Sequence, residues 1–212
     1  MVTPNDKAYA EAFRVLALGM TCPDEELALM VEDGAIERAM GRSAESLGLS
    51  QNPCEGPWSF AGAKEAACLD LLRREYTRLF VAPTGCVVAP WETAFLDPAG
   101  EKSEFGPQLV RTAAADDARR FYRSCGLDLA KNEAADHMRI ELEFAALVLG
   151  DAEDSALGQD GAEVFLSFWS AHLSRWMVPF FEEVAREARC GFYKSIGQFG
   201  AEVGTALVQE VL

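Results

Sequence analysis

The sequence predicts an all-α protein, a single bundle of roughly seven or more helices. Apolar residues recur at spacings of three and four along most of the chain, whereas strand-like alternation of useful length does not occur. Half of the 212 residues are hydrophobic, which is enough for a sizeable core, and residues 1–212 are expected to form one domain. A long irregular loop is predicted at about residues 81–106, because its prolines are incompatible with a continuous helix.

Capping and breaker residues predict where the helices begin and end. Thr3 and Pro4 suit the N-cap and first position of the first helix, and Pro23 with the acids after it opens the second. Residues 41–59, rich in Gly, Ser, Pro and Asn, are expected to form a connection. Further helices are predicted over 61–80, from Pro107 to Gly126, over 132–150, over 164–189 with a kink or break at Pro179, and over 192–212.

Composition narrows the classes of partner. The net charge is -15, from 34 acidic and 19 basic residues, and this argues against nucleic acid and anionic membrane surfaces as partners. The six cysteines form no Cys-x-x-Cys pair, so a zinc or iron–sulfur cage is not expected, and free thiols fit a reducing compartment such as the cytoplasm. Neither a signal peptide nor an apolar run long enough to span a membrane is found.

The segment 132–150 has polar residues where packing alone would not put them. It holds one of the two histidines of the chain, His137, and on a helix His137 and Glu141 are neighbours between two apolar stripes. A buried glutamate is costly unless it is paired, so we expect Glu141 to have low exposure and a hydrogen-bonded or cationic partner. One alternative is a buried ion pair between Glu141 and an arginine such as Arg78 or Arg175.

Other roles are open for the residues around this segment. Asp136 is a favoured residue type for a helix N-cap, in which case His137 would bond a neighbouring carbonyl. Trp91, in the loop at 81–106, is as well explained by core packing as by binding. The spacing of Glu133 and His137 does not fit a di-iron bundle, and no nucleophile elbow or phosphate-binding loop occurs. We therefore predict no catalytic residue, metal or cofactor, although a small helical metal protein or enzyme using His137 and Glu141 is the alternative.

Four segments of the chain together carry a resemblance to a known family. They are Tyr76–Phe80, Val87–Phe95, Gly126–Phe144 with its Asp136-His137 pair, and Phe168–Trp176 with its His-Leu-x-x-Trp sequence. In this order they resemble the TorD/DmsD/NarJ-type chaperones of molybdoenzyme maturation. The resemblance covers about residues 76–193, the family-like core, while residues 1–60 match only as generic helices. Two departures are Ala134, where the family has proline, and Thr93, where it has serine.

The resemblance implies a cytoplasmic chaperone of anaerobic respiration and not an enzyme. Such proteins bind the twin-arginine signal peptide, or N-terminal region, of a catalytic subunit of dimethyl-sulfoxide-reductase type. They assist its folding and molybdenum cofactor insertion and delay its export, as monomers or homodimers without stable membrane insertion. The resemblance assigns peptide binding to Asp136, His137 and Trp91, and we add Phe95 and Glu141 as expected groove residues.

Overall fold

The computed structural model describes residues 4–49, 65–81, 85–98, 112–130, 133–150 and 160–211. Within these ranges the fold is all-α, as predicted, with ten α-helices and no β-strand. No helix of these ranges is both long and apolar enough to cross a membrane. The helices are α1 Pro4–Gly19, α2 Glu25–Glu32, α3 Ala35–Ser46, α4 Glu65–Tyr76, α5 Glu92–Leu96, α6 Ala113–Ser124, α7 Met138–Gly150, α8 Gly161–Ala171, α9 Met177–Glu187 and α10 Gly191–Val211.

Several predicted helix ends are confirmed. Helix α1 begins at Pro4, and Asp24 is the N-cap of α2, accepting a hydrogen bond from the Leu27 amide at 2.9 Å. Helix α6 begins later than predicted, with Thr112 as its N-cap, and the chain leaves it through Gly126 at φ 75°. Thr3 and Pro107, named in the predictions for α1 and α6, lie outside the described residues.

Three boundaries differ from the predictions, and tertiary burial or local chain freedom explains each one. The connection predicted over 41–59 is wrong at its start, because α3 extends to Ser46 and buries one apolar face. The five residues of α5 are helical although the whole of 81–106 was predicted to be irregular, since no proline lies between Pro90 and Pro98. The predicted break near Pro179 occurs earlier, at 172–176, so that this proline lies in the first turn of α9, where it is tolerated.

The chain divides into two compact units, and the single-domain organisation stays a prediction. The first unit comprises residues 1–17 and 90–176. Its core contains two groups of aromatic rings, with Phe13 against Phe165 at 5.8 Å between ring centroids and Phe144 against Phe168 at 4.8 Å. Helices α7 and α8 pack together in this unit.

The second unit comprises residues 18–89 and 177–212. A π-helical turn, Thr77–Val81, continues α4 and buries Phe80, whose ring lies 5.8 Å from that of Tyr193 and 6.4 Å from that of Phe180. Helices α9 and α10 pack closely, because glycines of α10 face α9. The backbones of α9 and α10 are therefore held close together in this unit.

Candidate functional site

The loop before α5 is joined to the start of α7 by two backbone hydrogen bonds. The Met138 amide donates to the Pro90 carbonyl at 2.9 Å, and the Glu92 amide donates to the Asp136 carbonyl at 2.8 Å. This antiparallel bridge sets Trp91 opposite His137, whose rings meet edge to face with centroids 5.7 Å apart. Three residues predicted to share a site, Trp91, Asp136 and His137, are therefore neighbours.

Asp136 caps a helix other than the one it precedes. Its side chain is 5% exposed, and its Oδ2 accepts a hydrogen bond from the Thr93 hydroxyl at 2.9 Å and a longer one from the Thr93 amide at 3.4 Å. Thr93 lies in the first turn of α5, whose free amides favour a carboxylate. The alternative in which Asp136 is the N-cap of its own helix is wrong. Asp136 instead holds the segment that carries Trp91 and Thr93 in place.

The Asp136 carboxylate ends a short chain of hydrogen bonds. The hydroxyl oxygens of Thr93 and Thr112 lie 2.8 Å apart, and the Thr112 hydroxyl accepts from the Ala115 amide at 3.1 Å. A carboxylate can only accept, so the single Thr93 proton is directed to Asp136 and the Thr112 proton to Thr93. These hydrogen bonds therefore link the first turn of α5 to the N-cap of α6 and to the segment just before α7, and they need the hydroxyl at position 93.

His137 caps α7 in its neutral form. Its Nδ1 accepts a hydrogen bond from the Arg139 amide at 3.1 Å. The alternative with Asp136 as N-cap had the ring bonding to a carbonyl instead. The proton of the neutral ring is then on Nε2. The ring is half-buried, and this loss of contact with water lowers the pKa of His137 from 6.5 to about 4. The nearby Arg139 charge is a smaller cause in the same direction. The ring therefore offers an N–H donor, and not a cation, at neutral pH.

The lowered pKa of His137 predicts how stability changes with acid. The neutral ring contributes its full stabilisation above pH 6.5, and this contribution is lost as the pH falls from 6.5 towards 4. His137→Gln, whose amide oxygen can still accept from Arg139, should therefore lose less of its free energy of unfolding than the wild type over that interval. Urea unfolding at pH 7, 6, 5 and 4 measures the difference. An NMR titration giving His137 a pKa of 6.5 or above would contradict the prediction.

Glu141 and Phe95 lie together around Trp176. Glu141 is completely buried, and its Oε2 accepts a hydrogen bond from Trp176 Nε1 at 3.0 Å, which confirms the predicted burial and partner. Burial first, and the Glu92 charge second, raise the pKa of Glu141 well above its ordinary value. The Phe95 ring lies 5.9 Å from that of Trp176.

The ion pair considered for Glu141 is wrong, because both arginines bind other acids. Arg78 pairs with Glu75 at 2.8 Å. Arg175 Nη1 binds Glu92 Oε1 at 3.0 Å. The bulky indole of Trp176 supplies the only hydrogen bond to Glu141 Oε2 found among the described residues.

Sequence reasoning did not assign a role to Glu92 or His172. Both are buried, and Glu92 Oε2 lies 2.7 Å from His172 Nδ1. His172 Nε2 lies 3.3 Å from Asp117 Oδ2, without the direction of a hydrogen bond. The available signal was that Glu92 and His172 both lie in the segments that carry the family resemblance.

The family model described as "Nitrate reductase delta subunit" matches residues 37–182, which include every residue of the site. The chain belongs to the nitrate reductase delta subunit family. This is the family of NarJ/TorD-type chaperones for redox-enzyme maturation, and the predicted resemblance is confirmed.

The fold agrees with that of a solved structure. A crystal structure from Archaeoglobus fulgidus, provisionally described as a redox enzyme maturation protein, superposes with a TM-score of 0.53. It is 19% identical in sequence, and the match covers 91% of each chain. A search of curated protein sequences gives no significant match. The family assignment therefore depends on the family model, and the crystal structure supports the fold.

Proposed function

We propose that this member of the nitrate reductase delta subunit family is a cytoplasmic chaperone that binds the twin-arginine signal peptide, or N-terminal region, of a molybdenum oxidoreductase catalytic subunit. Binding would hold the subunit during folding and cofactor insertion and delay its export. Support comes from the family of molybdoenzyme maturation chaperones and from the acidic chain, with a net charge of -15. A negative protein attracts a peptide whose first recognition element is a pair of arginines.

The observation that carries the proposal is the juxtaposition of Trp91, Asp136 and His137 at the bridge between the loop and α7. The three side chains place a carboxylate, an indole and an imidazole donor within one short region, and the carboxylate and the indole are 5% and 7% exposed. An arginine guanidinium can donate two hydrogen bonds to a carboxylate. Because it is planar, it can also stack on an indole. The apolar part of the peptide would lie along the segment that carries Trp91 and Phe95.

Asp136 has two separable roles in this proposal. Its Oδ2 accepts from Thr93 and anchors α5, whereas Oδ1 has no hydrogen bond to a described residue. The anchoring role depends on hydrogen bonds that an asparagine oxygen could also accept. The recognition of an arginine depends on the negative charge, which asparagine lacks. Variants at positions 93 and 136 can therefore separate the two roles.

The test is titration of a labelled twin-arginine signal peptide from a molybdoenzyme against wild type, Asp136→Asn, Thr93→Val and Thr93→Ser, with a twin-lysine peptide as the matched ligand control. Asp136→Asn should weaken binding of the arginine peptide about tenfold or more, the value for a charged hydrogen bond of about 1.5–3 kcal/mol. Thr93→Val should weaken binding less, and Thr93→Ser should bind as the wild type does. Raising the salt concentration should reduce the wild-type affinity.

Two results would contradict parts of this proposal. Equal losses in Asp136→Asn and Thr93→Val would assign Asp136 to anchoring the loop alone. Failure of the wild type to bind any signal peptide would remove the signal-peptide function, leaving the maturation-chaperone family assignment in place. Circular dichroism of the four proteins controls for loss of structure.

A further inference from the structure

We propose that Glu92, Glu141 and His172 form a binding site for one divalent transition-metal ion. Glu141, predicted from the sequence to line the peptide groove, is completely buried and would bind the ion instead. The side chains come from the start of α5, the first turn of α7 and the segment that follows α8, so no local sequence motif links them. All three are buried, at 0%, 0% and 2% exposure. Each offers a ligand atom, and these atoms lie within 4.8 Å of one another.

This spacing is close to that of ligands around one ion. Nitrogen and oxygen ligands at about 2.0–2.2 Å from a first-row ion are separated from each other by about 3–4.4 Å in tetrahedral or octahedral geometry. Glu92 Oε2 and His172 Nδ1, 2.7 Å apart, need only a small separation to become adjacent ligands. An ion between them would replace the hydrogen bond that they now share.

Hydrogen bonding in the cluster is incomplete. Glu141 is fully buried, its Oε2 accepts from Trp176, and its Oε1 has no hydrogen-bond partner among the described residues. A buried carboxylate oxygen without a partner costs free energy that an ion would recover. This unpartnered oxygen is an independent indication of a ligand, beyond the clustering of acids.

The surroundings of His172 also fit metal ligation. If Nδ1 binds the ion, the proton of the neutral ring lies on Nε2, which is 3.3 Å from Asp117 Oδ2. A small rotation of either group would make that contact a hydrogen bond. Metal-binding imidazoles commonly donate their other ring N–H to a carboxylate, which orients the ring.

The charges of the cluster balance with a divalent ion. Glu92 and Glu141 supply two negative charges to the ion, because binding releases any proton held by a ligand carboxyl. Arg175 and Asp117, which contact Glu92 and His172, carry opposite charges at the edge of the cluster. Arg175 binds Glu92 Oε1 and leaves Oε2, and its side chain is 56% exposed, so water screens its repulsion of a cation. The imidazole ligand favours zinc or iron over calcium or magnesium, and the two carboxylate ligands also suit manganese.

The experiment is a titration of the chelator-treated whole chain with Zn²⁺, Mn²⁺ and, without oxygen, Fe²⁺, in competition with a chelator of known affinity. We expect one tightly bound ion per chain, identified by elemental analysis after dialysis. Glu141→Gln should lower the affinity at least about tenfold, the smallest loss expected even for a supporting partner. Its amide oxygen can still accept from Trp176, so the variant is expected to fold. His172→Gln should lower the affinity similarly.

Two matched controls address other acids and the second histidine. Glu143→Gln alters an exposed residue of the same helix, which pairs with Arg139, and His137→Gln removes the imidazole that sequence analysis paired with Glu141. Both should bind the ion as the wild type does. Visible absorption of the Co²⁺ form should report nitrogen ligation in the wild type and its loss in His172→Gln.

Three results would overturn the site. The first is that the wild type binds none of the three metal ions at one ion per chain. The second is unchanged affinity in Glu141→Gln, which would assign binding to surface acids. The third is loss of the ion in His137→Gln with retention in His172→Gln, which would move the site to the other histidine.

Discussion

Replacing Trp176 by alanine is expected to lower the free energy of unfolding by about 3–5 kcal/mol, the usual cost of removing a large buried aromatic side chain. Trp176 is fully buried, packs against Phe95 and donates the hydrogen bond to Glu141. The substitution therefore leaves a cavity and removes the hydrogen bond to a buried carboxylate. Urea unfolding followed by circular dichroism measures the loss.

Conservative variants divide this effect into packing and hydrogen bonding. Trp176→Phe keeps most of the aromatic volume and lacks the indole N–H, so it should cost less than alanine. From the other partner, Glu141→Gln should be milder than Glu141→Leu, because the amide oxygen can accept from Trp176 whereas leucine leaves the indole N–H without an acceptor. Equal stability of Glu141→Gln and Glu141→Leu would show that this hydrogen bond contributes nothing.

Gly197→Ala is expected to destabilise the protein by about 1–3 kcal/mol or more, as overpacking does. A Cβ at this position of α10 would clash with the Ala185 amide nitrogen and would lie 2.8 Å from the Phe181 carbonyl oxygen of α9. These are backbone atoms, which cannot move aside by changing a rotamer. The two helices would have to separate, and the close packing of the second unit would be lost.

The matched control is Gly41→Ala, at an interior position of α3. A Cβ at Gly41 has nothing within 4 Å, so the change should stabilise the helix by about 0.5–1 kcal/mol. The same chemical change is thus expected to have opposite signs at the two positions. Urea midpoints of both variants test this, and a Gly197→Ala protein as stable as Gly41→Ala would show that α9 and α10 are not closely packed.

Local sequence determined the helical class, many helix ends and the burial of Glu141. These features depend on residues close together in the chain, so spacing and capping residues are sufficient to predict them. The helical spacing that placed Glu141 between apolar stripes correctly predicted its burial. The prediction that Pro23 and the acids after it open α2 is confirmed by Asp24, the N-cap of that helix. The ordered family segments can likewise be read from the sequence, and they were sufficient to identify the family.

Only the tertiary structure decided the partners of the buried polar groups. Asp136 caps the helix that carries Thr93, 43 residues away, and Glu92 meets His172 across 80 residues. Periodicity specifies which face of a helix is buried, but it contains no information on which distant segment covers that face. For the same reason Arg175, considered for Glu141, binds Glu92, and an indole takes its place. A buried carboxylate needs a partner, and the packing of non-local segments determines which one it has.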